Sequence, residues 1–198
     1  IRVELLSGTL DSVRLKPVRY HLQASELTGD DWVQFEIDPA GLSQHVLVEV
    51  NDPQDGEHLN HGLMVFVNPV VEMPTGNVMV LPSGVVDSSS PYVDQHHRIY
   101  IDSGSPYDAI FIPGDTILDG RIHIKQQDFT VAGRGIVMGS RWDWPKADPN
   151  WTNYYPITPD GERAKGIVES DASGTTYDGV MVVHPYHFNF VGGDLTQN

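Results

Sequence analysis

Arg98-Ile99-Tyr100-Ile101, Ala109-Ile110-Phe111-Ile112, Arg121-Ile122-His123-Ile124, Phe129-Thr130-Val131 and Gly135-Ile136-Val137-Met138-Gly139 follow one another through the middle of the chain, separated by stretches carrying Gly and Asp. Each run is too short to form a hairpin of any depth. Strand triplets divided by tight Gly-containing turns fit a β-solenoid, where each coil buries its face only against the next. A second antiparallel sandwich is the competing reading of the same pattern.

On the N-terminal side this texture begins at Asn77 with Val78-Met79-Val80, and before it the periodicity is different. Ile1-Arg2-Val3-Glu4-Leu5, Val13-Arg14-Leu15, Trp32-Val33-Gln34-Phe35-Glu36-Ile37 and Val46-Leu47-Val48-Glu49-Val50 alternate apolar with polar residues, as half-buried antiparallel strands do. Turn-forming clusters such as Asp38-Pro39-Ala40-Gly41 lie between them, and Gly62-Leu63-Met64-Val65-Phe66-Val67 stops at Asn68-Pro69, where Pro cannot continue a ladder. The expectation is an antiparallel β-sandwich over residues 1–75.

On the C-terminal side, residues 140–176 read as one long polar and aromatic excursion, followed by Gly179-Val180-Met181-Val182-Val183 and Phe188-Asn189-Phe190. Excursions of that length are functional more often than not. The sequence stops in what reads as another coil, without the polar cap that a solenoid end needs. Residues 76–198 are therefore expected to be the N-terminal part of a parallel β-helix whose remaining C-terminal coils would be a partner of this part.

Composition narrows the function classes. Twelve Lys and Arg against 27 Asp and Glu give a formal charge of −15, which repels nucleic-acid phosphates and anionic lipid. Neither nucleic acid nor membrane is expected as a partner. The same field favours a neutral glycan over a polyanionic one. With no Cys there is no disulfide framework and no thiolate metal site. No apolar run approaches the ~20 residues that span a bilayer, and Ile1 is not followed by a charged or apolar leader.

Three segments in series carry a resemblance: Tyr107-Asp108-Ala109-Ile110-Phe111-Ile112-Pro113-Gly114-Asp115 through Leu118-Asp119-Gly120-Arg121-Ile122, then Val131-Ala132-Gly133-Arg134-Gly135-Ile136-Val137-Met138-Gly139-Ser140-Arg141-Trp142, then Asp178-Gly179-Val180 through His184-Pro185-Tyr186-His187-Phe188. Together they resemble the pectin-lyase-like β-helix glycoside hydrolases, above all glycoside hydrolase family 49, the dextranase and isopullulanase family. The Gly133–Trp142 segment is equally similar to a coil of the polygalacturonases. The resemblance implies an all-β fold, with an N-terminal antiparallel β-sandwich followed by the first coils of a right-handed parallel β-helix. It implies a secreted, extracellular, inverting, dextranase-like hydrolase of a neutral glucan, with catalytic Asp residues on coils later than any present here. The alternatives are a polygalacturonase-like or other β-helix hydrolase of an acidic or sulfated polysaccharide, and a non-catalytic glycan-binding or adhesion module.

Ser140-Arg141-Trp142-Asp143-Trp144-Pro145 and Asn150-Trp151-Thr152-Asn153-Tyr154-Tyr155-Pro156 place three of the four Trp in one loop. Aromatic rings stack on the C–H faces of sugars, so Trp142, Trp144 and Tyr154 are candidate substrate contacts; packing over the solenoid's side is the other reading. His184 and His187 are candidate sugar contacts, since the resemblance implies that their position faces the cleft. As a metal pair they fail, because residues three apart on a strand and turn point in different directions. Asn51-Asp52-Pro53-Gln54-Asp55-Gly56-Glu57 lacks calcium-loop spacing, Gly133-Arg134-Gly135 lacks the helix of a dinucleotide site, and Asp30-Asp31 and His96-His97 read as a solvated turn and an exposed linker. No metal and no cofactor is expected.

Overall fold

The computed structural model describes residues 1–4, 10–16, 32–37, 44–51, 62–140, 166–183, 188–192 and 195–197. The chain divides into two compact units, Ile1–Val70 and Val71–Asn198. Among the described residues there are strands and turns but no helix, hence none long and apolar enough to cross a membrane.

Among its described residues the first unit holds two antiparallel sheets. Strand β1 (Arg2–Glu4) pairs with β3 (Trp32–Gln34), and β2 (Val13–Lys16), β4 (Gln44–Val50) and β5 (Gly62–Val67) form a three-stranded sheet with β4 central. Alternation in β4 sends Val46, Val48 and Val50 into a cluster with Val33 and Phe35, packed by Val3 and Leu15. Both sheets thus share one apolar core, the arrangement of a small sandwich. On the other face of β4, Glu49 is 4% exposed. Lys16 Nζ at 2.6 Å and Arg14 Nε at 3.3 Å offset its charge from the neighbouring strand.

Among the described residues of the second unit every pairing is parallel, and strands three apart in sequence are neighbours. The first sheet stacks β6 (Val78–Val80), β9 (Ala109–Ile112), β12 (Thr130–Gly133), β15 (Thr175–Asp178) and β18 (Leu195–Gln197). The second stacks β7 (Gly84–Val86), β10 (Thr116–Asp119), β13 (Ile136–Met138) and β16 (Met181–Val183). The third stacks β8 (Arg98–Ile101), β11 (Arg121–Ile124), β14 (Gly166–Ser170) and β17 (Phe188–Gly192). Three sheets visited in rotation are a parallel β-helix, whose parallel crossovers take the right hand.

Register explains the core. Met79, Ile110, Val131 and Tyr177 are consecutive rungs inside the first sheet; Val86, Leu118 and Val137 inside the second; Ile99, Ile122 and Val168 inside the third. Equivalent side chains one coil apart stand ~4.8 Å from each other, so like packs on like and no coil is stable alone. The turns stack too: Arg121 N–H donates to His97 O at 3.0 Å, and Arg134 N–H to Ile112 O at 3.0 Å. Gly133, at φ 132°, lies so close to the Ile112 carbonyl that a Cβ would collide with it. The Gly133-Arg134-Gly135 motif is therefore a tight corner between sheets.

Two expectations are corrected. The excursion does not run to Thr176, because Gly166–Ser170 is the third-sheet strand of its coil and Thr175–Asp178 the next first-sheet strand. Their inward residues are partly polar, Ser170 Oγ and Thr175 Oγ1 bonding each other at 2.6 Å inside the coil, so no apolar triplet marks them. Nor is His96-His97 an exposed linker. Both are half-buried in a hydrogen-bonded turn, where Asp94 Oδ1 accepts from the N–H groups of His96 (2.8 Å) and Arg98 (3.0 Å) and His97 has φ 56°.

Candidate functional site

A solenoid's interior is committed to packing, so chemistry has to sit on an outer face or in a turn. The third sheet concentrates it. With Ile99, Ile101, Ile122 and Ile124 inward, alternation turns Arg98, Tyr100, Arg121 and His123 outward. The register then sets Tyr100, His123 and Glu169 side by side on successive coils.

Each member is held by neighbours. Arg98 Nε bonds Asp94 Oδ2 at 3.0 Å, and its guanidinium lies 4.5 Å from the centroid of the Tyr100 ring. Lys125 Nζ approaches the same ring at 5.4 Å, and the His123 ring meets it edge-on at 5.4 Å. His123 Nε2 is 2.8 Å from Asp171 Oδ2 across 48 residues of sequence, and Arg121 Nη1 is 3.5 Å from Glu169 Oε2. The Asp171 N–H donates to Ile124 O at 2.8 Å, which pins the turn against the preceding coil.

Burial sorts these groups by task. Arg121 and Glu169 side chains are 1% and 4% exposed and His123 5%, whereas Asp171 is 41% exposed and Tyr100 38%. Water or a ligand thus meets Tyr100 and Asp171, while the other charges form a buried layer behind them. Inside the helix the Tyr177 hydroxyl is pushed above the ordinary phenol range, by burial first and by the Glu169 charge second. It remains protonated and takes no part in acid–base chemistry near neutrality.

The sequence-derived candidates Trp142, Trp144, Tyr154, His184 and His187 all lie outside the described residues. Little in the sequence marks the cluster around His123 and Glu169. Its one signal was the polar residue at every second position of Arg121-Ile122-His123-Ile124, which marks an outward face.

The class defined by this geometry is a three-sheet parallel β-helix following a separate antiparallel unit, with a charged and aromatic outer face on its third sheet. Among solved structures the chain is similar to Dex49A from Penicillium minioluteum, with a TM-score of 0.57 over 96% of this chain at 15% identity. The chain spans 43% of the length of that structure. No protein-family model matches, and no curated protein matches in sequence. The likeness is one of fold.

Proposed function

We propose that this chain is the front part of an extracellular β-helix glycoside hydrolase acting on a neutral glucan, as its similarity to glycoside hydrolase family 49 implies. The observation that carries the reading is the fold likeness to Dex49A across 96% of the chain, which takes in both units. The acidic surface supports a neutral substrate over a polyanionic one.

On this reading the outer face of the third sheet is the first section of a glycan-contacting wall, with the Tyr100 ring and Asp171 carboxylate turned to the substrate. Inverting hydrolysis needs a general acid and a general base roughly 6.5–9.5 Å apart. Glu169 and Asp171 do not meet that requirement: their nearest oxygens lie within 4.8 Å, and Glu169 is buried against Arg121. On this reading the acid and base are other carboxylates, carried on later coils as the family resemblance implies.

A second reading is a glycan-binding module without hydrolysis, for which the exposed Tyr100 ring and Asp171 carboxylate on one face would suffice. Reducing-end release from dextran, pullulan and polygalacturonate, by this chain and by the longest reading frame containing it, separates the two. Release from one neutral glucan by the longer form alone is expected. Release from polygalacturonate would replace the substrate class, and saturable binding without release would establish the module.

A further inference from the structure

We propose that His123, Glu169 and Asp171 form a site for a divalent transition-metal cation of the zinc type, which staples the coil containing β11 to the coil containing β14. The proposal does not rest on the glycan reading, although the two share Asp171: a bound ion would take the carboxylate that reading turns to the substrate.

One imidazole nitrogen and two carboxylate oxygens lie within 4.8 Å of one another. Donors about 2.0–2.2 Å from a tetrahedral Zn²⁺ stand about 3.3 Å apart. His123 Nε2 and Asp171 Oδ2, now at 2.8 Å, need to separate by only about half an ångström to admit the ion. The Glu169 carboxylate, now within 4.8 Å of the other two donors, would have to close in by rotation of its side chain. The backbones already hold the three residues together: parallel register sets His123 opposite Glu169, and the Asp171 amide is tied to Ile124 O.

The surroundings suit a cation in three ways. His123 and Glu169 are nearly buried while Asp171 is 41% exposed, which leaves an entry path and a position for water. Arg121 behind Glu169 would orient that ligand from outside the coordination sphere. The chain's charge of −15 raises the local cation concentration. A nitrogen with two carboxylates selects zinc-type ions over Ca²⁺, which prefers six to eight oxygens. The staple would close the 48-residue separation between His123 and Asp171, within which the excursion before Gly166 lies.

The test is calorimetric titration of the chelator-stripped chain with Zn²⁺, with Co²⁺ absorption as a ligand-field readout and melting in metal or chelator. Expected are one site, a Tm higher by about 5 °C at a hundredfold excess over Kd, and no response to Ca²⁺. Asp171→Asn, at the exposed end, should keep the chelator-state Tm and lose at least tenfold in affinity; His123→Gln should lose the visible Co²⁺ band. His45→Ala, in the first unit, should change neither. Equal Zn²⁺ affinity in Asp171→Asn and the parent would mean an adventitious ion on another of the nine His and would overturn the proposal. No binding to the parent overturns it as well.

Discussion

The second and third sheets of the β-helix have the same interior and opposite exteriors. Inside, Val86, Leu118 and Val137 match Ile99, Ile122 and Val168, all buried. Outside, the second sheet presents the register ladder Val85, Ile117, Ile136 and Met181, with Val85 66% exposed. The third presents Arg98, Arg121, His123 and Glu169, each no more than 9% exposed. Apolar side chains meet water while charged ones are buried, the reverse of what solvation alone would select. In a solenoid the interior rungs fix the fold, so an outer face is free to diverge. Buried charges persist on such a face only if they neutralise each other.

The largest expected effect tests that neutralisation. Arg121→Ala leaves Glu169 buried beside a lost cation and should destabilise the β-helix by about 3–5 kcal/mol, whereas Arg121→Met with Glu169→Leu should cost much less. Urea unfolding monitored by hydrogen exchange in β11 and β14 measures both. If the single and double variants were equally unstable, the pair would be acting through packing and not through charge.

Interior rungs come next. Ile122→Ala, fully buried between Ile99 and Val168, should cost about 2–5 kcal/mol, and Leu118→Ala a similar amount on the second sheet. Equal losses at these two positions would support the claim that the interiors are alike. A loss below about 1 kcal/mol at Ile122 alone would show that the third sheet is held from outside.

That likeness weakens one coil later, and the weakening decided how much of the fold was legible. Ala109–Ile112 and Arg121–Ile124 could be read because their inward positions are aliphatic. Gly166–Ser170 and Thr175–Asp178 could not, since Ser170 and Thr175 satisfy each other inside the coil and Tyr177 replaces an aliphatic rung. Gly84–Val86 escaped too, with one inward residue in three. The His123 cluster was illegible for another reason. It exists only when β11 and β14 are in register, and no local pattern sets residue 123 opposite residue 169.

Tyr177 gives a pH-dependent test of the polar rung. The unfolded chain releases this proton near pH 10.0, the ordinary phenol value, while the folded chain holds it to higher pH because of burial and the Glu169 charge. A folded pKa above the unfolded one contributes stability that is complete below pH 10 and declines above it, by up to ~1.4 kcal/mol per pH unit. Tyr177→Phe should flatten that decline between pH 10 and 11 in thermal melts compared with the parent. An identical alkaline slope in both would mean that the hydroxyl ionises in the folded state as readily as in the unfolded chain.

The smallest effect belongs to the second sheet's exterior. Val85→Ser removes an apolar side chain that is already two-thirds in water, so its stability change should fall within about ±0.5 kcal/mol. Tyr100→Ala on the third sheet exposes a comparable change to solvent, yet Tyr100 also packs against Arg98 and His123. Its loss should therefore exceed that of Val85→Ser and, if the third sheet is the glycan-contacting wall, lower the affinity for the neutral glucan. Paired melts and binding isotherms on the two variants set these faces against each other directly. Should Val85→Ser weaken glycan binding and Tyr100→Ala leave it unchanged, the wall would lie on the second sheet, and the charged layer of the third would be a purely structural seam between coils.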